Sequence, residues 1–159
     1  MSNLLEIFTK GDFTLKNHIV MAPMTRSRAI DNIPNDLMAT YYAQRSGAGL
    51  IITEGTSPSV NGLGYCRIPG IFSAEQTEGW KKTTKAVHQN NSKIFVQLMH
   101  TGRIAHEANL PEGGKVVGVS DIKAAGEMYT DAVGMQEHTQ PITLTTDEVY
   151  AVTDEYVTA

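Results

Sequence analysis

Four consecutive residues, Leu50-Ile51-Ile52-Thr53, constrain this chain more than any others. They make an apolar run of strand length with no polar alternation, so the strand needs cover on both faces. Two further apolar segments have strand character: His18 to Ala22, ended by Pro23, and Lys93 to Leu98. Helical patterns lie between and after them. Asn35 caps a helix whose Leu37, Met38, Tyr41, Tyr42 and Arg45 share a face, with Gly47 and Gly49 as its stop. Ser73 and Gln76 stand at capping-box spacing. They open a helix to about Asn90, with Trp80, Thr84 and Val87 inward and Glu78 facing Lys82 outward. Thr145 and Glu148 repeat that spacing ahead of a third helix with Val149, Val152 and Tyr156 on its inner face. Ahead of all this, Ile7–Thr9 and Phe13–Leu15 flank Lys10-Gly11-Asp12 as a small hairpin.

Strand and helix in strict alternation imply an α/β fold with parallel strands. Either an open doubly wound sheet or a closed eight-stranded barrel satisfies that order. No G-x-G-x-x-G follows the first strand, which lowers the dinucleotide-binding version of the open sheet. Long loops leave the C-terminal ends of the strands, and that favours the barrel, whose chemistry sits on that face. One such loop, Gly55 to Gly70, is rich in Gly, Ser and Pro; another, Met99 to about Leu144, is long enough to be functional or to carry small elements of its own. A barrel needs about 250 residues. The expectation is therefore the N-terminal portion of a (β/α)8 barrel, about three β/α units plus the hairpin. Residues 1–159 then form one incomplete domain that ends after the third helix begins, as part of a longer protein or an unfinished reading frame.

The net charge of −4, with no clustered Lys and Arg, argues against a nucleic-acid groove. No run of about 18 apolar residues exists to span a membrane. Met1-Ser2-Asn3-Leu4-Leu5-Glu6 lacks the basic and apolar regions of a secretory leader. A single cysteine, Cys66, cannot close an internal disulfide and reads as packing. Cytoplasmic placement is the expectation. His100 and His106, six apart without cysteine partners, do not have the spacing of a zinc motif, and no metal is expected. Asp147, Glu148, Asp154 and Glu155 make a solvated helix face.

Three positions stand just at the C-terminal ends of the three strands. Thr25, in Met21-Ala22-Pro23-Met24-Thr25-Arg26-Ser27-Arg28, can offer a hydroxyl and an N–H to a ligand, or cap its own loop. Arg26 and Arg28 either hold an anion or bridge loop carboxylates and carbonyls. Gly55, in Thr53-Glu54-Gly55-Thr56, lets a planar ligand approach the backbone, or simply turns the chain. Glu54 reads first as a buried structural carboxylate, with a general-base role as the lesser alternative. Gln97, in Phe95-Val96-Gln97-Leu98-Met99-His100-Thr101-Gly102-Arg103, carries donors and an acceptor that match the edge of a flat heterocycle. Tyr65, in a mobile-looking Gly-rich loop, either lines a pocket or half-buries. Equivalent placement of Thr25, Gly55 and Gln97 is what makes a shared site out of three ordinary residues.

Together the strings NHIVMAPMTRSRA, YYAQRSGAGLIITEGT, GLGYCRIPGIFSAEQTEGWKK and VQLMHTGRIAH resemble the old yellow enzyme family, FMN-dependent ene-reductases on a (β/α)8 barrel. The likeness runs through essentially the whole chain and is nearest to the N-ethylmaleimide reductase and pentaerythritol tetranitrate reductase branch. It implies that Pro23, Met24 and Thr25 pack along FMN, with the Thr25 hydroxyl at the carbonyl beside the reactive nitrogen. It implies that Gly55 offers backbone to the isoalloxazine edge, that Gln97 pairs with the pyrimidine edge, and that Tyr65 and Met99 line the substrate side. NADPH or NADH is the implied reductant. The implied substrates are small molecules with an activated C=C, such as enones and maleimides, or a nitro group. In the family mechanism hydride reaches the β-carbon and a Tyr protonates the α-carbon; that Tyr, the substrate-anchoring pair and the phosphate site match nothing within Met1–Ala159, so no catalytic residue is assigned here. Two departures stand out: Met99 where relatives often carry Trp, and Thr25 rather than Cys. Two other readings stay open. One is a larger flavin relative with an appended iron–sulfur domain. The other is a non-catalytic half-barrel, an assembly module completed by a partner on its unpaired strand edge. The isolated chain is expected to be poorly soluble or molten and to hold FMN weakly.

Overall fold

The computed structural model describes residues 3–159. Met1 and Ser2, the first residues of the segment inspected for a leader, lie outside the described residues. The hairpin forms as expected: β1 (Phe8–Lys10) runs antiparallel to β2 (Phe13–Leu15), with Lys10 opposite Phe13. Gly11 takes the turn at φ 56°, a left-handed conformation that costs glycine nothing.

The three apolar segments pair in parallel, in the order β3 (Val20–Met21), β4 (Leu50–Thr56), β5 (Lys93–Leu98). The central strand is the one whose sequence demanded cover on both faces, and Ile51 is fully buried. β3 is shorter than the expected His18–Ala22. The reason is local competition for its backbone: the His18 N–H goes to the Leu4 carbonyl (2.9 Å) and the Ile19 N–H to Asn17 Oδ1 (3.1 Å). β4 is longer than its apolar run and continues through Glu54 and Gly55 to Thr56. Among the described residues the sheet stops at three strands and does not close into a barrel; they form part of an α/β fold. β5 lies on its edge, with Phe95 51% and Val96 40% exposed.

α1 (Asp36–Ala43) is capped by Asn35, whose side chain accepts from the Met38 N–H at 3.1 Å. Its buried face is narrower than expected: Met38 and Tyr42 are inside, while Leu37 and Arg45 are exposed. The helix stops ahead of Gly47 and Gly49. Gly49 serves packing instead, since a Cβ there would stand 2.9 Å from Asn17 Oδ1. α2 (Ala74–His88) carries the expected capping box between Ser73 and Gln76. It buries Gln76, Gly79, Trp80, Thr83 and Val87, so Thr83 rather than Thr84 faces the core. Lys82 reaches Asp36 on α1 at 3.1 Å, and Glu78 pairs with Lys81 at 2.6 Å, not with Lys82. The two helices lie close enough for that because Gly79 lets α2 rest on the backbone of Pro34. One core joins them to the sheet: Ala29, Met38, Tyr42, Ile51, Trp80 and Val87. Trp80 Nε1 donates to the Gly70 carbonyl (3.1 Å), which satisfies the one polar atom of that indole.

The long connection carries small elements of its own: β6 (Val117–Gly118) with β9 (Ile142–Thr143), and the hairpin of β7 (Glu127–Thr130) with β8 (Gly134–Glu137). α3 (Thr146–Thr158) opens with the expected Thr145–Glu148 capping box. None of its residues is fully buried; Val152 and Tyr156 are half-buried and Val149 is 39% exposed, so its expected inner face is only partly covered. Tyr156 still anchors the helix, its hydroxyl accepting from the His100 N–H at 2.8 Å.

Candidate functional site

The C-terminal ends of the three parallel strands converge, and the convergence has a specific cause in β4. Pairing between β4 and β5 shifts register after Ile52: Ile52 stands opposite Phe95, but Gly55 stands opposite Gln97. Thr53 and Glu54 thus share the space opposite Val96, a bulge that re-aims the strand end. The bulge would strand the Gln97 amide, and Thr53 Oγ1 takes it at 3.0 Å while donating to the Glu54 carbonyl at 2.8 Å. Gly55 and Gln97 are therefore direct neighbours, as the equivalent-placement argument required.

Thr25 joins them through its neighbours. Pro23, Met24 and Thr25 are all exposed on the exit from β3. The next residue, Arg26, donates its N–H to Glu54 Oε2 at 3.2 Å. Ser27 follows at φ 54°, a left-handed turn costing a non-glycine residue about 1 kcal/mol, held in place by its surroundings. Of the two readings for the arginines, Arg28 follows the bland one: its Nη1 donates to the Arg26 and Ser27 carbonyls at 2.8 and 3.1 Å. Among the described residues, the Thr25 hydroxyl and the Gln97 side-chain amide have no hydrogen-bond partner within the chain. Both remain available to a ligand.

Met99 continues the strand, its N–H bound to the Thr56 carbonyl at 2.9 Å. Its thioether lies over Gly55: a Cβ at position 55 would stand 2.6 Å from Sδ and closer still to Cε. The missing side chain at 55 is what gives Met99 its place. Tyr65, 38% exposed, is the exposed residue of an otherwise buried stretch from Gly62 to Cys66. That loop is packed rather than mobile in character, because the chain beyond β5 staples it. The Thr101 N–H binds the Gly62 carbonyl (3.0 Å), Thr101 Oγ1 donates to the Leu63 carbonyl (3.0 Å), and Asn109 Nδ2 donates to the Gly64 carbonyl (3.0 Å).

Glu54 lies beneath this face, 1% exposed. Tyr42, fully buried on α1, donates to its Oε1 at 3.2 Å and accepts from its backbone N–H at 2.8 Å. Burial pushes the Glu54 carboxyl above its ordinary value, and the Arg26 N–H, the Tyr42 hydroxyl and the Arg26 charge pull it part of the way back. Burial, then the Glu54 charge, pushes the Tyr42 phenol far up, so it stays a donor. This is the structural carboxylate the sequence allowed, but its partner was missed. A buried carboxylate requires donors, and a tyrosine on the helix preceding the strand was the available signal. His100 is a half-buried titratable group beside the same face. Its Nδ1 accepts from the Gly102 N–H at 3.0 Å, so the neutral ring carries its proton on Nε2. Burial pushes its imidazole down against the opposing pull of Glu155. A cavity of about 470 Å³ adjoins it, lined by Arg103, Val117, Val119, Leu144 and Val152 among others; none of Thr25, Gly55 and Gln97 lines it. No group of three or more His, Cys, Asp or Glu suited to a metal is found among the described residues. No helix among them is long and apolar enough to cross a membrane.

Comparison with known proteins now decides the family. Residues 3–159 match the NADH:flavin oxidoreductase / NADH oxidase family. The chain belongs to it. Among curated relatives, 12-oxophytodienoate reductase 7 of Oryza sativa subsp. japonica is 37% identical over 147 residues, covering 91% of this chain and 37% of the relative. The flavin oxidoreductase hxnT of Emericella nidulans is 39% identical over 169 residues, covering all of this chain and 42% of that one. Among solved structures, the old yellow enzyme homologue of Zymomonas mobilis superposes with a TM-score of 0.89 at 41% identity, over 98% of this chain and 43% of its own. Morphinone reductase in complex with tetrahydroNAD superposes at 0.87 with 37% identity, over 98% and 44%. The resemblance to old yellow enzymes in the motifs is thus a relationship of family, and the chain spans about two fifths of the length of these relatives.

Proposed function

We propose that this chain forms part of the flavin bed of an FMN-dependent NAD(P)H oxidoreductase of the ene-reductase type, acting on small molecules with an activated C=C or a nitro group. The observation that carries the reading is the Gly55–Gln97 pairing beside the Thr25 loop, with the Thr25 hydroxyl and Gln97 amide uncommitted. Those features fit a flat heterocycle with a hydrogen-bonding edge, so the residues present suit the isoalloxazine ring. Pro23, Met24, Thr25, Gly55 and Gln97 hold FMN in this reading, and Tyr65 and Met99 line the substrate side. When bound, FMN supplies hydride transfer between a nicotinamide nucleotide, NADPH or NADH, and the substrate. Gln97 orients the ring by its edge, and Thr25 places one hydroxyl where charge builds on reduction. No residue of the chain is assigned the proton transfer, and no metal is invoked. In this reading the domain is part of a (β/α)8 barrel, and the protein works in the cytoplasm.

Titration of FMN by flavin fluorescence tests the assignment. Gln97→Leu removes the amide proposed to meet the ring edge and is expected to weaken binding by roughly 10- to 100-fold, the effect of about 1–3 kcal/mol. Unchanged affinity in Gln97→Leu overturns the bed as drawn. The exposed edge of β5 favours one second reading, a non-catalytic half-barrel completed by a partner strand. Under that reading FMN does not bind and the Gln97 substitution has no effect on any flavin signal.

A further inference from the structure

Tyr42 and Glu54 lie outside the set that faces the proposed ligand, yet they are among the most deeply buried polar groups of the chain. Their bonds run toward one place. Tyr42 seats Oε1 of the carboxylate and takes the Glu54 N–H, which fixes the side chain against α1. The other oxygen, Oε2, accepts the Arg26 N–H, and the adjacent Ser27 N–H also favours the charged carboxylate. The left-handed Ser27 turns the chain directly after the Arg26 amide that Oε2 holds. Arg28 clamps the outer side of the same turn through the Arg26 and Ser27 carbonyls. Thr25 is the residue immediately before this doubly held turn.

We propose that Glu54, seated by Tyr42, is a positioning residue for Thr25: it fixes the turn at Arg26–Ser27 and thereby sets where the Thr25 hydroxyl stands against the flavin. The inference rests on the flavin-bed reading for its second half only. The first half concerns the turn, and the second the flavin that Thr25 meets.

The test uses Glu54→Leu, Glu54→Gln and Tyr42→Phe, alone and with Thr25→Ala. Glutamine can accept from Arg26 with its oxygen and donate to Tyr42 with its amide; leucine does neither. Amide hydrogen exchange without FMN reports the turn. The Arg26 amide is expected to exchange about ten-fold faster in Glu54→Leu while the α2 core around Val87 keeps its protection, with near-normal rates in Glu54→Gln. Tyr42→Phe, which loses only the hydroxyl, is expected to move the same amide in the same direction by less, and it serves if the leucine variant does not fold. The flavin midpoint potential reports the second half. Loss of the Thr25 contact makes two-electron reduction about ten-fold less favourable, about 30 mV. Glu54→Leu is expected to show that shift alone and none when Thr25 is already Ala. An Arg26 amide that does not respond overturns the proposal. So does a loosened turn with an unshifted potential, or a shift that persists in Thr25→Ala. Failure of the unmodified protein to take up FMN overturns the flavin-bed reading and the second half with it, while the Arg26 amide still decides whether Glu54 holds the turn.

Discussion

At the scale of single residues, the site depends on atoms left free and atoms fully committed. Thr25 and Gln97 keep their side chains available, whereas Thr53, Tyr42 and Glu54 spend theirs on the backbone and on each other. Glu54 and His100 give opposite pH trends. Glu54 has its folded value raised, so its contribution to stability is complete below the ordinary glutamate value and is lost as pH rises through the folded value. His100 has its folded value lowered, so its contribution is present above the ordinary imidazole value and is lost as pH falls toward the folded one. Urea midpoints measured across that range should separate them. Glu54→Gln gains on the unmodified chain as pH rises, and His100→Asn gains on it as pH falls. Parallel curves for all three proteins would remove both assignments. The sequence placed Glu54 as a buried structural carboxylate where the chain leaves a strand; it did not show that a tyrosine twelve residues earlier would meet it, because that contact exists only once α1 lies across β4.

At the scale of elements, the local rules carried most of the structure. Both capping boxes form, because a Ser or Thr hydroxyl and a Glu or Gln three residues on satisfy orphan amides whatever the rest of the chain does. Gln76 adds more than a cap: buried, its Oε1 accepts from both Phe72 (2.8 Å) and Ser73 (3.1 Å). Ser73→Ala is expected to cost about 1 kcal/mol and Gln76→Ala about 2 kcal/mol or more, since the latter strands two amides. Equal costs in urea unfolding would show that burial of Gln76 adds nothing. Where the element reading slipped, long-range partners decided. Thr83 displaced Thr84 from the core face, and Lys82 left Glu78 for Asp36, because Gly79 brings α2 against Pro34 and α1.

At the scale of the molecule, one core holds the helices to the sheet on the β4 side, and β5 keeps an open edge. Phe95 and Val96 present apolar side chains and unpaired backbone there, the condition under which strands pair between chains. The 159-residue chain is expected to associate with rising concentration, and Val96→Lys, a charge on that edge, to reduce it severalfold. Sedimentation at several concentrations checks this; a monomer at every concentration would show that the edge is protected. The sequence by itself determined the parallel α/β order, the three strand-end positions and the family, because apolar run length, capping chemistry and motif spacing are all local to the chain. Only the tertiary structure decided the register shift at Thr53–Glu54, the Met99 thioether over Gly55, and the Tyr42–Glu54–Arg26 tie. Each of these joins residues from different elements, and their partners become neighbours only when the sheet and helices have packed.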